Sequence, residues 1–266
     1  MKYITIFLLA IATTGCSEQI KNDKKVQGKV MSSHQDSLKL IEDSIKENIN
    51  NQPIKLLDEI EDKKNNKELI ALFKMSLSNV QHDGCDKFNK FSILGTQNFI
   101  SGIDTFSCIV LGAICEEDMH PSSGTNFIGL FKISTNRQTK LLNIIEAKGS
   151  FGFGSCANLE GFKIMGRKNL CVILNSGYYG FGCTTENRSL YLINKSIIKG
   201  ILEIEKHDDD QGNEGSSMYE NIDTDWEIKF LDNKSDYFNL EIIEKSHGKK
   251  VKTSILKFNE KSMKYE

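Results

Sequence analysis

Strict alternation of apolar and polar residues near the C-terminal end is the feature that most constrains the fold of this chain. Apolar residues alternate with charged or polar ones through 226–230 and again through 238–242. The turns DNKSD at 232–236 and SHGKK at 246–250 follow these runs, and the second turn leads into a third run, 251–258. A period of two places successive side chains on opposite faces of a strand. The pattern therefore predicts an antiparallel meander with one face buried and the other in water.

The region between Gly84 and this meander has a similar pattern of residues. Short runs rich in Ile, Val, Phe and Tyr alternate with turn residues there, which is typical of strands. These runs lie at 91–94, 108–114, 127–133, 141–147, 162–165, 170–174 and 190–193. Together with the meander they predict a mostly antiparallel β domain over residues 84–266. A sandwich, an open barrel or a few propeller-like blades would each fit the pattern.

Residues 36–83 follow a helical period instead. Asp36 is a suitable N-cap for a first helix, Pro53 suits the first turn of a second, and a third begins near Asn66. The apolar stripes are Leu38, Ile41, Ile45 and Ile49, then Ile54, Leu57 and Ile60, then Leu69, Leu72, Phe73, Leu77 and Val80. We expect these faces to pack against each other or against a sheet. The predicted class is α+β, with a short N-terminal helical portion followed by the β domain.

The first sixteen residues, MKYITIFLLAIATTGC, have the three-part pattern of a secretory signal. Lys2 gives a positive charge, residues 4–12 are apolar apart from one threonine, and small residues lead into Cys16. The apolar run is too short to span a bilayer. The end of the segment resembles the lipobox of bacterial lipoproteins, in which the cysteine after a small residue is lipidated and becomes the new N-terminus. Thr13 stands where that family usually has Leu.

The resemblance implies a signal peptide over residues 1–15 and acyl chains, such as palmitate, on Cys16. Buried acyl chains would anchor the chain to a membrane. In lipoproteins of Gram-negative bacteria, a serine at the place of Ser17 favours the outer membrane, facing the periplasm or the exterior. Residues 16–35 are otherwise polar without a lasting period and predict a tether. The alternative is ordinary signal cleavage that leaves Cys16 as a free thiol.

The cysteine count agrees with lipidation. The chain has seven cysteines, an odd number. If Cys16 carries lipid, six candidates for three disulfides remain in an oxidising envelope compartment, namely Cys85, Cys108, Cys115, Cys156, Cys171 and Cys183. Six cysteines allow fifteen pairings, and a bridge between Cys156 and Cys183 is the one that the sequence favours most.

The stretch Gly152–Ala157, GFGSCA, matches the glycine fingerprint of dinucleotide-binding sites. A nucleotide site needs a helix after the glycines, because the helix N-terminus supplies the amides that hold the phosphates. Gly161 and Gly166 interrupt the following residues, which have no helical period. The fingerprint is therefore not interpreted as a nucleotide site, and no cofactor is predicted.

A second glycine-aromatic-glycine stretch, Gly180–Gly182, precedes Cys183 much as the first precedes Cys156. Glycine lets two backbones approach closely, so the two stretches predict paired loops or strand bends. One interpretation is that the two stretches only stabilise the sheet. The other is that their aromatic residues bind a partner, because aromatic side chains on rigid loops give contact area at low entropic cost. The candidates for this surface are Phe151, Phe153, Tyr178, Tyr179 and Phe181.

Motifs for catalysis or metal binding are absent from the sequence. It has no H-E-x-x-H, G-x-S-x-G or C-x-x-C, and its five histidines are scattered singly. The acidic run 207–217 offers Asp208, Asp210 and Glu214 as weak calcium candidates, although the order of an EF-hand loop fails. A solvated loop between strands explains the run equally well.

These observations favour a lipid-anchored binding module of the bacterial cell envelope over an enzyme. Its partner would be a protein or a glycan, and an inhibitor or immunity-type role would fit. The formal net charge of −2 argues against a nucleic-acid partner. Two alternatives stay open: an envelope hydrolase that uses carboxylates or a metal, and a purely structural envelope protein.

Overall fold

The computed structural model describes most of the chain after residue 53, some of it for the backbone alone. The described residues are Lys39, Asp43, 53–57, 63–77, 88–115, 124–134, 139–147, 150–152, 155–180, 183–208, 224–246 and 248–266. The chain divides into two compact units, Met1–Lys46 and Glu47–Glu266. In the first unit only Lys39 and Asp43 are described, and both are helical, so the predicted first helix otherwise lies outside the described residues and stays a prediction.

Antiparallel strands make up most of the described second unit, which confirms the predicted β domain. The first sheet contains, in spatial order, β1 (Lys55–Leu57), β2 (Phe88–Ser101), β3 (Asp104–Cys115), β4 (Thr125–Ile133) and β5 (Thr139–Ala147). A short hairpin of β6 (Ser150–Gly152) and β7 (Ser155–Cys156) follows. The second sheet contains β8 (Asn158–Ile164), β9 (Leu170–Gly180), β10 (Cys183–Asn194) and β11 (Ile197–Asp208), with neighbours paired in chain order.

The C-terminal meander forms as predicted. The third sheet contains β12 (Thr224–Leu231), β13 (Asn239–Ser246) and β14 (Lys249–Leu256), and the short pair β15 (Phe258–Asn259) and β16 (Lys264–Tyr265) ends the chain. In the second unit, α1 (Lys63–Leu77) is the one helix among the described residues, and it corresponds to the third predicted helix. No helix in the described part of the chain is long and apolar enough to cross a membrane.

The prediction of a second helix is wrong for its first residues. Lys55–Leu57 forms β1, which pairs with the Asn98–Ile100 part of β2 instead of continuing a helix from Pro53. Ile54 is buried and Leu56 packs against the same core, so the apolar residues here alternate as in a strand. Burial in that core outweighs the helical spacing that Leu57 and later residues suggested, because secondary-structure propensity is weak against tertiary packing.

The first and second sheets pack face to face around the largest core. Alternate residues of β3 and β4 point into this core from the first sheet, and alternate residues of β9 and β10 point into it from the second. The main contributors are Cys108, Val110, Ile128, Leu130, Leu170, Val172, Leu174, Tyr191 and Ile193. Sheet pairs of this kind bury their inner side chains in a layer about 10 Å thick.

The remaining residues of the same strands are also buried, but on the opposite faces. On the outer face of the first sheet, Phe73 and Leu77 of α1 pack against Ile109, Leu111, Phe127 and Phe131. Gly129 lies directly under the Phe73 ring, where a methyl group would overlap it. On the outer face of the second sheet, Cys171, Ile173, Leu190 and Leu192 pack against Leu240, Tyr265, Ile228 and Phe230. The layers of this unit are therefore α1, the first sheet, the second sheet and the third sheet.

The turn between β8 and β9 joins the second sheet to the third. The Arg167 N–H donates to the Ser235 carbonyl at 3.1 Å, and the Phe238 N–H donates to the Met165 carbonyl at 2.8 Å. Gly166, with φ of +157°, passes so close to the Asp236 carbonyl that a Cβ there would collide with backbone atoms. Only glycine fits this approach.

Substitution of Gly166 by alanine is expected to destabilise the protein much more than substitution of Gly161. Gly161 has a similar φ of +152°, but a Cβ there would meet nothing within 4 Å. Gly161→Ala should therefore show only the backbone strain, about 1–3 kcal/mol of the free energy of unfolding. Gly166→Ala adds a backbone collision to that cost. Urea unfolding of both variants measures the difference, and equal losses would contradict the close approach.

Candidate functional site

A cleft opens between the second and third sheets where their apolar packing ends. Its volume is about 270 Å³, with its open mouth included. The lining comes from β9, β10, β11 and β12, and consists of Asn175, Glu186, Asn187, Arg188, Ile204, Asp225 and Trp226.

The strand register explains why polar residues gather at this place. Asn175 of β9 pairs with Arg188 of β10, and Arg188 pairs with Ile204 of β11. Two residues earlier on β9 and two later on β10, the same face carries Ile173 and Leu190, which are buried against the third sheet. This face of the second sheet thus changes from apolar to polar over two residues along each strand. The cleft begins at that change.

Arg188 contacts both sheets that border the cleft. Its Nε lies 3.0 Å from Oε2 of Glu160 on β8, in a pair whose side chains are each about one-third exposed (31% and 37%). Its Nη1 donates to the backbone carbonyl of Trp226 on β12. An ion pair with this exposure stabilises by only about 0–1 kcal/mol. Its main consequence is that the guanidinium charge is already compensated and that the group spans both sheets.

Trp226 forms the wall of the cleft on the side of the third sheet. It is the only tryptophan in the chain. Its indole Nε1–H donates to the Glu205 carbonyl of β11 at 3.0 Å, and its backbone N–H donates to Oδ1 of Asp225 at 2.7 Å. Both sheets therefore fix the indole, one through its backbone and the other through its ring nitrogen.

Acceptor oxygens dominate the rest of the lining. Oδ1 of Asn175 is buried and accepts no hydrogen bond in the described part of the chain. Glu186 pairs across the strands with Lys206, whose side chain is not described. Asp225 pairs across the strands with Lys245. Hydrogen bonding and charge from Glu227 raise the pKa of the Lys245 ammonium, and the charge of Asp225 adds to this effect. The 2.8 Å bond of Lys245 goes to Glu227, and Oδ1 of Asp225 accepts the Trp226 N–H.

The predicted aromatic surface lies outside the described side chains. For the backbone, Phe151 falls in β6, and Tyr178 and Tyr179 fall in the last part of β9. Phe153 and Phe181 are outside the described residues altogether. The five aromatic residues therefore stay a prediction as a surface.

The strands around those residues can be placed. Gly180 pairs with Cys183, so Phe181 and Gly182 connect two paired residues. Gly152 pairs with Ser155 in the same way, with two residues between them. Both glycine-aromatic-glycine stretches thus connect neighbouring antiparallel strands, and their predicted arrangement as paired loops stays a prediction.

The calcium candidates fall mostly outside the described residues. Asp208 is the last residue of β11 and pairs with Thr184, whereas Asp210 and Glu214 are not described. Within the described part of the chain, no three His, Cys, Asp or Glu side chains come close enough together to hold a metal ion. The weak prediction for the acidic run stays untested.

Three of the six disulfide candidates are described, and none of these three is bridged to another of them. Cys108 lies in the core between the first and second sheets, and Cys171 lies in the core between the second and third. Cys156, half-buried, points its Sγ at the carbonyls of Ala113 and Thr125, at 3.6 and 3.8 Å. The side chains of Cys85, Cys115 and Cys183 are not described. Disulfide formation, including a bridge between Cys156 and Cys183, therefore stays a prediction.

Reasoning from the sequence missed the cleft. Asn175, Glu186 and Arg188 carried no motif, and Trp226 was interpreted only as an inward-facing strand residue. The one local signal was the change from apolar to polar residues along β10, from LYLI at 190–193 back to ENR at 186–188. That signal does not reveal which sheet covers the strand.

Thiol labelling is expected to separate the described cysteines by burial. Loss of hydration raises the pKa of the Cys108 and Cys171 thiols far above the ordinary value, and raises that of Cys156 as well. Because the thiolate is the reactive form, Cys108 and Cys171 should label with iodoacetamide at pH 8 only after unfolding. Cys156 should label slowly in the native protein. Mass spectrometry of native and urea-unfolded samples measures this, and rapid native labelling of Cys171 would contradict its burial.

The same labelling before and after reduction tests the disulfide prediction. New labels on Cys85, Cys115 or Cys183 after reduction would reveal a bridge, and labels without reduction would exclude one.

No family model, curated protein or solved structure matches this chain.

Proposed function

We propose that this chain is a lipid-anchored binding module of the bacterial cell envelope, with its partner surface at the end of the sheets where the glycine-aromatic-glycine stretches connect the strands. The observation that carries the proposal is the strand register at that end. It brings two separate aromatic-rich connections and the start of the acidic run to neighbouring strands.

The register supports this neighbourhood step by step. Asn158 of β8 pairs with Asn175 of β9, so the preceding β7 continues toward the Tyr178–Gly180 end of β9. β6 pairs with β7 and also contacts β9. Asp208 pairs with Thr184, one residue after Cys183. Residues far apart in the sequence therefore leave the sheets at one end.

The scaffold behind this end suits binding. Both faces of the first and second sheets are buried, by α1 on one side and the third sheet on the other. Loops that carry binding residues are commonly held on such rigid layers. Aromatic side chains there would give contact area at low entropic cost, since each rotates about only two χ angles.

Membrane attachment rests on the sequence. Cys16 and the tether 16–35 lie outside the described residues, and the lipobox resemblance supports lipidation there. A tether of about 20 residues behaves as a coil of roughly 25 Å on average, which would hold the folded unit just clear of the bilayer surface.

The anchor has a direct test. Growth with an alkyne-labelled fatty acid should label the wild-type chain and leave Cys16→Ser unlabelled, because the serine hydroxyl offers no thiol for acylation. The variant should also move from the membrane pellet to the soluble fraction. Cys156→Ser is the matched control and should keep both the label and the membrane location. An unlabelled wild-type chain would contradict the anchor.

The partner surface is tested by removing its aromatic rings. Phe153→Ala/Tyr178→Ala/Phe181→Ala should weaken retention of an envelope partner about thirtyfold or more, since truncating one central aromatic anchor costs about 2 kcal/mol. The control removes exposed apolar side chains elsewhere: Ile103→Ala/Val251→Ala/Ile255→Ala, at residues that are 78%, 62% and 57% exposed. Quantitative crosslinking in envelope extracts compares the two triple variants. Equal retention by both would contradict the proposed surface.

A further inference from the structure

We propose that one end of the sheet stack docks on an anionic bilayer surface, with its lysine and arginine side chains against the lipid head groups and Ile103 and Ile197 in the interface. The proposal deepens the proposed function and rests on its lipid anchor. It adds an orientation, in which the glycine-aromatic-glycine connections lie on the side away from the membrane.

Hairpin turns gather at this end, where the chain also enters the stack. Ile54 donates its backbone N–H to the carbonyl of Arg167 in the β8–β9 turn, and the adjacent Lys55 pairs with Ile100, just before the β2–β3 turn. The Arg167 N–H donates to the carbonyl of Ser235 in the β12–β13 turn at 3.1 Å. Three turns and the entry of the chain therefore lie together.

The β10–β11 turn and the C-terminal strand pair belong to the same end, which we call the turn end. Nδ2 of Asn194 donates to Oδ1 of Asn169 in the β8–β9 turn at 2.8 Å, and Nζ of Lys199 donates to the carbonyl of Ser262, between β15 and β16, at 3.1 Å. The connection between β9 and β10 lies at the opposite end of these strands. The turn end comprises the described residues 53–55, 101–104, 132–134, 139–140, 165–169, 194–199, 232–238 and 257–266.

The turn end is basic, although the whole chain has a formal net charge of −2. Its described residues include eleven basic and five acidic side chains. The basic residues are Lys55, Lys132, Lys140, Arg167, Lys168, Lys195, Lys199, Lys234, Lys257, Lys261 and Lys264. The acidic residues are Asp104, Asp232, Asp236, Glu260 and Glu266. Seven of the basic side chains are exposed to solvent and so can reach a charged surface.

The acidic side chains leave an excess of positive charge at this end. Asp104 lies 2.8 Å from Lys132, and Asp236 lies 3.3 Å from Lys168, so two lysines are compensated locally. Six positive side-chain charges remain in the described part of this end when every acid is counted against one base. Each Lys or Arg near an anionic membrane surface adds attraction, and salt weakens it. The excess therefore suits anionic lipid head groups.

Two exposed isoleucines add apolar contact area to the turn end. Ile103 is 78% exposed in the β2–β3 turn, directly after Gly102, whose φ is +65°. Ile197 is 46% exposed at the start of β11. Transfer of such side chains from water into an apolar environment is favourable. Basic residues next to exposed apolar ones are typical of surfaces that lie in a membrane interface.

The proposed anchor favours a bilayer over an acidic protein as the occupant of this surface. The chain from Cys16 joins the described stack at Pro53, which is part of the turn end. A flexible tether of about 20 residues keeps the two within roughly 25 Å of each other on average. Docking of an anchored protein is an intramolecular step with a high effective concentration, so a weak surface interaction is sufficient.

Quenching by brominated lipid tests contact between the turn end and the bilayer. The purified full chain is reconstituted in vesicles of phosphatidylglycerol and brominated phosphatidylcholine, whose bromine atoms quench a nearby indole. Ile103→Trp should lose most of the emission of its added indole. The wild type, with Trp226 as its only tryptophan, should lose little, because Trp226 lies in the cleft between the second and third sheets.

Val251→Trp is the matched control for position. Val251 is 62% exposed and follows the β13–β14 turn, at the opposite end of the stack, so its added indole should keep its emission. Brominated vesicles without phosphatidylglycerol, or high salt, should restore the emission of Ile103→Trp, since both remove the attraction between charges. Equal quenching of Ile103→Trp and Val251→Trp would overturn the proposal.

Two pairs of charge-neutral substitutions test the basic side chains. In the Ile103→Trp background, Lys234→Gln/Lys261→Gln should lower the docking equilibrium constant about thirtyfold, about fivefold for each lysine. Lys249→Gln/Lys250→Gln removes the same charge from exposed residues at the opposite end and should leave quenching unchanged. Equal loss of quenching in both double variants would overturn the proposal, since it would reveal only an effect of net charge. Thermal melting of each variant confirms that it is folded.

Sedimentation with vesicles separates docking from the anchor. A lipidated chain should sediment with vesicles of phosphatidylcholine alone. If it does so and Ile103→Trp is not quenched on anionic vesicles, the anchor stands and docking is overturned. If the chain stays in solution with neutral vesicles, the anchor is contradicted. Docking is then supported by sedimentation with anionic vesicles that added salt reverses, and is overturned if the chain stays in solution with those as well.

Discussion

Burial of the second sheet on both faces is the constraint on which the rest of the described structure depends. Along β9, Val172 and Leu174 face the first sheet, while Cys171 and Ile173 face the third. A strand in this position must be apolar at nearly every residue, and its sequence then loses the alternation that normally defines register. A slip by one residue would exchange one apolar set for another.

Close contacts between the layers supply the register information that the apolar pattern lacks. Gly95 of β2 leaves room that Leu159 fills from the second sheet, and Gly112 of β3 leaves room that Cys156 fills. A Cβ at Gly112 would lie 2.7 Å from Sγ of Cys156, and a Cβ at Gly95 would force the end of the Leu159 side chain to move, so both contacts favour the observed stacking of these layers. Shape complementarity at small residues, and not hydrophobicity alone, therefore specifies how the two sheets are stacked.

The sequence predicted those parts of the fold in which one face meets water. The alternation in 226–230 and 238–242 predicted β12 and β13 because their outer face carries ion pairs, such as Lys245 with Glu227, while the inner face is apolar. Helix α1 was predicted for the same reason. Strand β1 was not, because its three residues become a strand only through pairing with β2. The stacking of the sheets could not be predicted either, since it depends on contacts between residues distant in the sequence.

The cleft lies between a sheet that is buried on both faces and a sheet that has one face in water. This position explains why the sequence did not predict it. Its residues lie on strands that are apolar on both faces further along, yet here they face the edge of a sheet with one wet face. Arg188 and Trp226 close the gap by hydrogen bonds to backbone carbonyls on opposite sheets. Each bond joins a side chain of one sheet to the main chain of the other, so the two bonds together fix the separation of the sheets at this point. The polar groups between them therefore keep a fixed arrangement that only the folded stack creates.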